Sequence, residues 1–278
     1  MYWVGFPLAI AISLFLLPAG ARGLRDAGLV RENYRGAVLA FPLGAVLATA
    51  ALVTLAPLAF LNDRADLDLL DPGLRQGLPY LLGIAVLGFL DDALGRGEAT
   101  TTARGWRGHF AALRGGTLST GAIKAIGALA LAAYVVSGRG LESWRYLADV
   151  LLLILSTNLG NLLDLRPGRA EKALALLAVG LCLGAWTFEP LELLGIFAGP
   201  VLVGARLTLG ERAMLGDTGS NLIGAIAGAW LLTTLGADSR LVALAIVAAL
   251  TIYGELRSIS RTIDSVPPLR WLDSLGRA

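Results

Sequence analysis

Residues 150–164 read VLLLILSTNLGNLLD, an apolar run that ends in polar residues. A helix needs about 20 mostly apolar residues to cross the hydrocarbon core of a bilayer, within a range of about 17–25. Extended back to residue 147, this run has that length, and runs of similar size recur along the chain. The predicted spans are 3–20, 37–61, 74–90, 121–137, 147–163, 173–188, 190–206, 221–236 and 240–256. The sequence therefore predicts an all-α polytopic membrane bundle of about nine transmembrane helices, with ten as the upper count.

The composition agrees with a membrane protein and excludes several classes of site. Hydrophobic residues make up 56% of the chain and charged residues 16%, which lies outside the range of soluble domains. The net charge of +2 comes from scattered basic residues, so no nucleic-acid-binding surface is predicted. Cys182 and His109 are each the only residue of their type. They exclude a disulfide framework, a zinc site built on His pairs, and any Ser-His-Asp triad that does not use His109.

The distribution of Lys and Arg orients the predicted helices. Eighteen of the 23 basic residues fall in the loops on one side of the nine-helix arrangement, together with the C-terminal tail. Because cytoplasmic loops retain Lys and Arg, the N-terminus is predicted outside and the C-terminus in the cytoplasm. The first apolar run has no early basic region or cleavage site, and it is interpreted as a helix. No repeat or linker divides the chain, so residues 1–278 are predicted to form a single integral-membrane domain with cytoplasmic active-site loops.

Three polar motifs fall on the predicted cytoplasmic face, and the first is GFLDD at residues 88–92. Here an apolar helix ends in two adjacent carboxylates, Asp91 and Asp92. Oxygen ligands of this kind suit Mg²⁺, which commonly keeps waters and substrate phosphates in its coordination shell. The alternative is a helix end that is simply solvated.

The second motif is Asn158, Asn161 and Asp164, at the end of the fifth predicted span. On a helix, side chains three residues apart stay on one side, so these three can line one cavity. The alternative is a seam of hydrogen bonds between helices. Arg166 and Arg169 follow directly and offer cations for a phosphate or a lipid head group.

The third motif is MLGDTGSN at residues 214–221, directly before the eighth predicted span. Glycines beside Asp217 allow the backbone to approach a ligand, and a following helix N-terminus offers free N–H groups to an anion. Asp217 is predicted to hold a metal, while Thr218 and Ser220 contact phosphate oxygens. The alternative is a helix cap with a turn. Random polar interruptions would fall on both faces, so the placement of all three motifs on one face favours a shared site.

Other basic residues on this face are candidate substrate contacts. They are Arg35, Lys124, Arg166, Arg257 and Arg261. Anchoring of cytoplasmic loops by positive charge is the alternative for most of these arginines. The connection 91–120, which contains His109, is longer than most loops and is therefore predicted to be functional or disordered.

In their order and spacing, these motifs resemble the polyprenyl-phosphate N-acetylhexosamine-1-phosphate transferase superfamily. This superfamily includes phospho-MurNAc-pentapeptide translocase and the transferases that use UDP-GlcNAc. The similarity runs from about Arg31 to Asn221: Asp91 and Asp92 match the Asp-Asp motif, 158–164 the Asn-rich helix end, and Asp217 the Asp of a Gly-Asp-x-Gly-Ser loop.

The resemblance implies transfer of a sugar-1-phosphate from a UDP-sugar to a polyprenyl phosphate, with release of UMP, at the bacterial cytoplasmic (inner) membrane. It implies Mg²⁺, with Mn²⁺ as an alternative, held by Asp217 with Asp91 or Asp92. The remaining Asp and Asp164 would position or deprotonate the lipid phosphate. Asn158 and Asn161 would order the helix end and contact substrate. The expected partners are the lipid, the donor, the membrane and a second copy in a homodimer.

Three departures from the family pattern narrow this expectation. Pro167 stands where a second Asp follows the Asn-rich helix, Gly95 stands where a Lys is expected, and no His follows His109. Arg257, Arg261 and Arg270 are the candidates to replace the late His-rich loop in contacting a diphosphate. These changes argue against the MurNAc-pentapeptide substrate. The alternatives are a catalytically silent member that binds lipid phosphate or a partner and regulates envelope assembly, and a transporter, for which inverted repeats are not evident.

Overall fold

The computed structural model describes residues 2–94 and 120–278, so most of the predicted long loop, with His109, lies outside the described residues. The described chain contains eleven α-helices and one two-stranded sheet. Their bounds are α1 Gly5–Asp26, β1 Val30–Glu32, β2 Val38–Ala40, α2 Leu43–Arg64, α3 Pro72–Leu94, α4 Thr120–Ser137, α5 Ser143–Leu163, α6 Arg169–Ala185, α7 Glu189–Leu209, α8 Gly216–Thr234, α9 Ala237–Leu256, α10 Ile259–Ser265 and α11 Pro267–Ser274. A 3₁₀ turn, Tyr2–Val4, precedes α1. Each predicted span coincides with one of the nine long helices α1–α9, which confirms the helical class.

Seven of the described helices are long and apolar enough to cross a membrane: α1, α2, α3, α4, α5, α7 and α9. The helix α6 is shorter, with 17 residues. The helix α8 begins with the polar stretch 216–221. Because it is enclosed by neighbouring helices, its side chains need not be apolar along the whole helix. The repeated apolar helices indicate a membrane-embedded, multi-pass protein.

Helix α8 lies at the centre of the bundle and contacts α2, α3, α5, α6, α7 and α9. Fourteen of its 19 residues are buried, and Trp230 near its far end donates a hydrogen bond to the Pro190 carbonyl at 2.6 Å. Its neighbours approach closely through glycine. A Cβ atom added to Gly160 of α5 would lie only 2.6 Å from the Ser220 carbonyl oxygen of α8. Small residues at such crossings let helix backbones pack tightly in lipid, where dispersion contacts stabilise the pair.

The predicted span 37–61 is wrong at its start, because its first residues form a strand. Strand β2 pairs antiparallel with β1, and Ala40 also forms a bridge with Ala213. The helix α2 begins only at Leu43, after Pro42. A proline disfavours helical geometry in the residue before it, so Phe41 stays extended and the chain continues as a hairpin up to this point. The hairpin lies against the segment that leads into α8, as shown by the hydrogen bond from the Met214 N–H to the Ala40 carbonyl at 2.9 Å.

Candidate functional site

Three helices bring two carboxylates and one ammonium group together. Asp91 lies at the end of α3, Lys124 in the first turns of α4, and Asp217 in the first turn of α8. The Lys124 Nζ donates to Asp91 Oδ2 at 3.0 Å and also to Asp217 Oδ2. All three side chains are partly exposed, between 21% and 31%. Two carboxylate oxygens from distant parts of the chain therefore converge on one cationic centre that solvent can reach.

The donor set at this centre fits a divalent cation such as Mg²⁺ or Mn²⁺. Mg²⁺ sites in phosphotransfer enzymes commonly use one or two carboxylates, with waters and substrate phosphates as the other ligands. Among the described residues, no group of three or more His, Cys, Asp or Glu side chains is arranged to enclose a metal ion. Asp91 and Asp217 would hold the ion, and the Lys124 ammonium takes the equivalent position between their oxygens.

Asp92 is turned away from this centre and caps helix α8. Its Oδ1 accepts the Asp217 backbone N–H at 2.9 Å, while Oδ2 accepts the Thr218 backbone N–H at 2.9 Å and the Thr218 hydroxyl at 2.6 Å. The side chain is 4% exposed. The free N–H groups that the sequence assigns to a bound anion thus donate to a carboxylate of the protein itself. Both Asp92 oxygens are engaged, so Asp91 is the member of the pair that faces the cationic centre.

Two glycines permit this close approach of α3 to the start of α8. Gly216 has a φ of +72°, a left-handed conformation that side chains disfavour, and it turns the chain into α8. A Cβ atom on Gly216 would lie 2.6 Å from Asp92 Oδ2, and one on Gly88 would lie 2.6 Å from the Asp217 carbonyl oxygen. The helix α8 begins at Gly216, several residues earlier than the predicted span 221–236, because Asp92 satisfies its first N–H groups.

Two of the three polar residues at the end of α5 contact neighbouring helices. Asn161 accepts a hydrogen bond from the Ser220 hydroxyl of α8 at 3.0 Å, and the Asn158 amide donates to Glu255 of α9 at 3.4 Å. These contacts form part of a seam between helices, the alternative interpretation of the motif. Asp164 follows the last helical residue and is partly buried.

The surroundings of the Asp164 carboxyl favour its protonated form. Burial raises its pKa well above the ordinary value, and the negative charges of Glu171, Asp217 and Asp92 raise it further. The pKa is raised because both effects disfavour the ionised form. Asp164 thus lies within electrostatic reach of the carboxylates contributed by α3 and α8, although it belongs to a different helix.

The hydroxyls of Thr218 and Ser220 have protein partners. Thr218 donates to Asp92 and Ser220 to Asn161, and the two residues are 1% and 0% exposed. In this arrangement they contribute to helix packing beneath the carboxylates, and they lack the open surface that phosphate contact needs.

The candidate basic residues are divided between paired and exposed positions. Arg35 forms an ion pair with Glu211 at 2.9 Å, and the guanidinium of Arg166 lies over the Tyr34 ring, 4.2 Å from its centroid. Arg257 and Arg261 are exposed at and just beyond the end of α9. Arg169, the second cation after the Asn-rich helix end, is buried in an ion pair with Asp273 at 2.9 Å.

The structure adds Arg31 to the surroundings of the site. Its guanidinium stacks over the buried Phe41 ring, 4.0 Å from the centroid, and its charge lies within electrostatic reach of Asp92. No feature of the sequence separates this arginine from ordinary loop anchors, because only the hairpin turns it towards α8.

An apolar groove leads away from this end of the bundle. It has a volume of about 350 Å³ and lies between α5, α6, α8 and α9, with Leu163 and Ala170 near the Asp164 end and Leu231 and Val247 at the other. Its lining is almost entirely aliphatic, so it suits a hydrocarbon chain.

Comparison with known proteins adds no assignment. No family model matches the chain, and no curated protein matches its sequence.

Proposed function

We propose that this chain transfers a sugar-1-phosphate from a UDP-sugar, of the UDP-N-acetylhexosamine class, to a polyprenyl phosphate and releases UMP. The observation that carries the proposal is the convergence of Asp91 and Asp217 on one cationic centre, close to Asp164 and to the start of an apolar groove. Phosphotransfer sites work mainly by positioning the reactants and by stabilising charge on the transferred phosphoryl group.

In the proposed reaction an oxygen of the lipid phosphate forms a bond to the β-phosphorus of the UDP-sugar. The bond between that phosphorus and the bridging oxygen breaks, and the bridging oxygen leaves on UMP. Asp91 and Asp217 would hold a Mg²⁺ ion, which offsets negative charge on the diphosphate when it is bound. Lys124 lies between these two carboxylates in the structure. A bound ion would displace its ammonium group, which would then contact a diphosphate oxygen.

The role proposed for Asp164 is to accept the proton of the lipid phosphate. A phosphate monoester loses its second proton near pH 6, so a carboxyl whose pKa is raised is better matched to it than an ordinary aspartate. The apolar groove beside Leu163 would take the polyprenyl chain, which brings the phosphate next to Asp164. Asp92 acts as a positioning residue, since it holds the start of α8.

The test is UMP release by the purified protein in nanodiscs that contain undecaprenyl phosphate, with Mg²⁺ and a panel of UDP-sugars. We expect release with at least one donor, loss of release with EDTA, and partial recovery with Mn²⁺. Asp91→Asn and Asp217→Asn should each lower turnover by roughly 100-fold or more, because each removes a carboxylate ligand of the Mg²⁺ ion that would offset charge on the diphosphate. Asp264→Asn, a change at an exposed position of α10, is the matched control and should keep full activity.

The proposal is overturned if the wild-type protein releases no more UMP than Asp217→Asn with every donor. A second candidate function is then favoured: a protein that binds lipid phosphate without turnover. The observation in its favour is that Lys124 already neutralises the two carboxylates that a metal ion would need. Saturable binding of undecaprenyl phosphate without UMP release would support it.

A further inference from the structure

The last 21 residues of the chain, 258–278, fold back onto the turn between α5 and α6. This segment contains α10 and α11 and is called the clasp segment below. In α11 the one buried residue is Asp273, which is 8% exposed. The helix is therefore docked through a charged side chain, whereas its large apolar residues, such as Trp271, remain exposed.

Asp273 forms a two-point ion pair with Arg169, the first residue of α6. The Arg169 Nε donates to Oδ1 at 2.9 Å and its Nη2 donates to Oδ2 at 3.0 Å. Arg169 is 5% exposed, and its Nη1 donates to the Ser260 hydroxyl of α10 at 3.1 Å. Two parallel hydrogen bonds fix the orientation of both groups, so this contact sets geometry as well as attraction. Partial burial opposes ionisation, but hydrogen bonds from Arg169 and Arg277 lower the pKa of Asp273 to about 2.

The clasp segment also binds the backbone of the turn itself. Arg277 donates to the Pro167 carbonyl from Nε at 3.2 Å and from Nη2 at 3.1 Å, and to Asp273 from Nη1 at 3.1 Å. In the opposite direction, Lys172 of α6 donates to the backbone carbonyls of Leu272 and Asp273 at 3.1 and 2.6 Å. The clasp segment thus contacts both the turn, residues 164–168, and the start of α6. This turn contains Asp164.

We infer that Asp273 is a positioning residue: through Arg169 and Arg277 it fixes the turn after α5 and so places Asp164 at the site. The role in turnover rests on the proposed function, whereas the effect on the turn does not. Within residues 2–94 and 120–278 no side chain donates a hydrogen bond to the Asp164 carboxyl, so in this part of the chain its position follows the backbone at the end of α5 and in the turn. The contacts of Asp273, Arg169, Arg277 and Lys172 restrict the position of the turn. A displacement of about 1 Å at a reacting group can lower a rate about 100-fold.

The experiment compares Asp273→Asn with Asp264→Asn, two changes of the same kind within the clasp segment, the second at an exposed position. Amide hydrogen exchange in residues 163–172 should increase in Asp273→Asn and stay at the wild-type rate in Asp264→Asn. In the UMP-release assay, Asp273→Asn should lower kcat about tenfold to 100-fold, with a smaller change in the KM for the UDP-sugar. Asp273→Glu, which keeps the charge, should recover part of both properties.

Arg277→Gln is the second variant, because it removes the contact to the Pro167 carbonyl and leaves the Arg169–Asp273 pair intact. In Arg277→Gln we expect faster amide exchange in residues 163–172 and a lower kcat, both by less than in Asp273→Asn. This variant keeps the test decisive if Asp273→Asn does not fold. Unchanged exchange in Arg277→Gln and in any folded Asp273→Asn overturns the inference. Increased exchange with unchanged kcat overturns the positioning role. If the wild-type protein shows no turnover, the proposed function fails, and the exchange measurement still decides whether the clasp segment fixes the turn.

Discussion

Asp91 and Asp92 are adjacent in the chain, but the structure gives their carboxylates different partners. Asp91 faces Lys124 and Asp217 at a position that solvent reaches. Asp92 is buried and accepts three hydrogen bonds from the first residues of α8. Consecutive residues on a helix point about 100° apart, so only one of the two can face the cationic centre. Asp91 is therefore the candidate metal ligand of the pair, and Asp92 holds the start of α8.

At the residue scale, the raised pKa of Asp164 predicts the pH dependence of turnover. The base must be ionised to accept a proton, so activity falls as the pH drops through its pKa. Because the pKa is raised, we expect the acid limb of the pH–rate profile at a higher pH than an ordinary aspartate gives, which is about 3.9. Glu171→Gln removes a nearby negative charge that raises this pKa, so the limb should move to lower pH.

The matched control for this prediction is Glu189→Gln, at an exposed position at the start of α7. Its profile should coincide with that of the wild-type protein. An acid limb that stays at the same pH in Glu171→Gln would remove Asp164 from the role of base.

At the element scale, the site depends on how closely α3 and α5 approach α8. The carboxylates of α3 meet the start of α8 because Gly88 leaves room for its backbone, and α5 crosses α8 at Gly160. These crossings leave little free space, since a single added methyl group would overlap main-chain atoms. The position of Asp217 relative to Asp91 is therefore set by backbone packing.

We predict that Gly88→Ala separates α3 from α8 and disrupts the site. The new Cβ atom would lie 2.6 Å from the Asp217 carbonyl oxygen, so the helices must shift apart. We expect a loss of about 1–3 kcal/mol in the free energy of unfolding, together with lower turnover. Thermal unfolding in detergent and UMP release measure the two effects.

Gly77→Ala is the control, because it makes the same change in the same helix at a position with open space around the Cβ atom. Alanine favours helix over glycine by about 1 kcal/mol, so this variant should be as stable as the wild-type protein or slightly more stable. Equal melting temperatures for the two variants would contradict the close-packing explanation.

At the scale of the whole molecule, the two ends of the bundle carry different kinds of polar groups. One end gathers the carboxylates, Lys124 and the clasp segment. At the other end, Arg139 donates to the Leu232 carbonyl at 3.3 Å, and Arg240 forms an ion pair with buried Asp149 at 3.3 Å. Removing one partner from a buried pair destabilises a protein by about 3–5 kcal/mol, so this second cluster fixes the packing of α5 against α9.

Most Lys and Arg residues lie in the loops on the side of the site, and cytoplasmic loops retain these residues. We therefore predict that the N-terminus is outside and that the site faces the cytoplasm. In a Cys182→Ser background, Asp68→Cys lies in the loop between α2 and α3, and Asp264→Cys lies in α10. A membrane-impermeant maleimide should label Asp68→Cys in intact cells and label Asp264→Cys only after permeabilisation. The reverse pattern would place the carboxylates on the outer face, where no UDP-sugar is supplied.

The sequence by itself determined the helical class and the region of the site. Hydropathy is a local property, so nine apolar runs were enough to predict α1 to α9, and the three polar motifs were recognised at helix ends that the structure brings to one side. Hydropathy did not show where α2 begins, although Pro42 marks that point in the sequence, because β2 owes its extended form to pairing with β1 and Ala213.

The tertiary structure alone decided how the charged groups are matched. Lys124 bridges Asp91 and Asp217, Asp92 caps α8, and Arg169 is held by Asp273. In each case the partners come from separate helices, and their side chains meet only after those helices pack. The sequence does not show whether a charged residue is solvated or paired. Its partner depends on which charged groups come close in three dimensions and on how much water is removed around them.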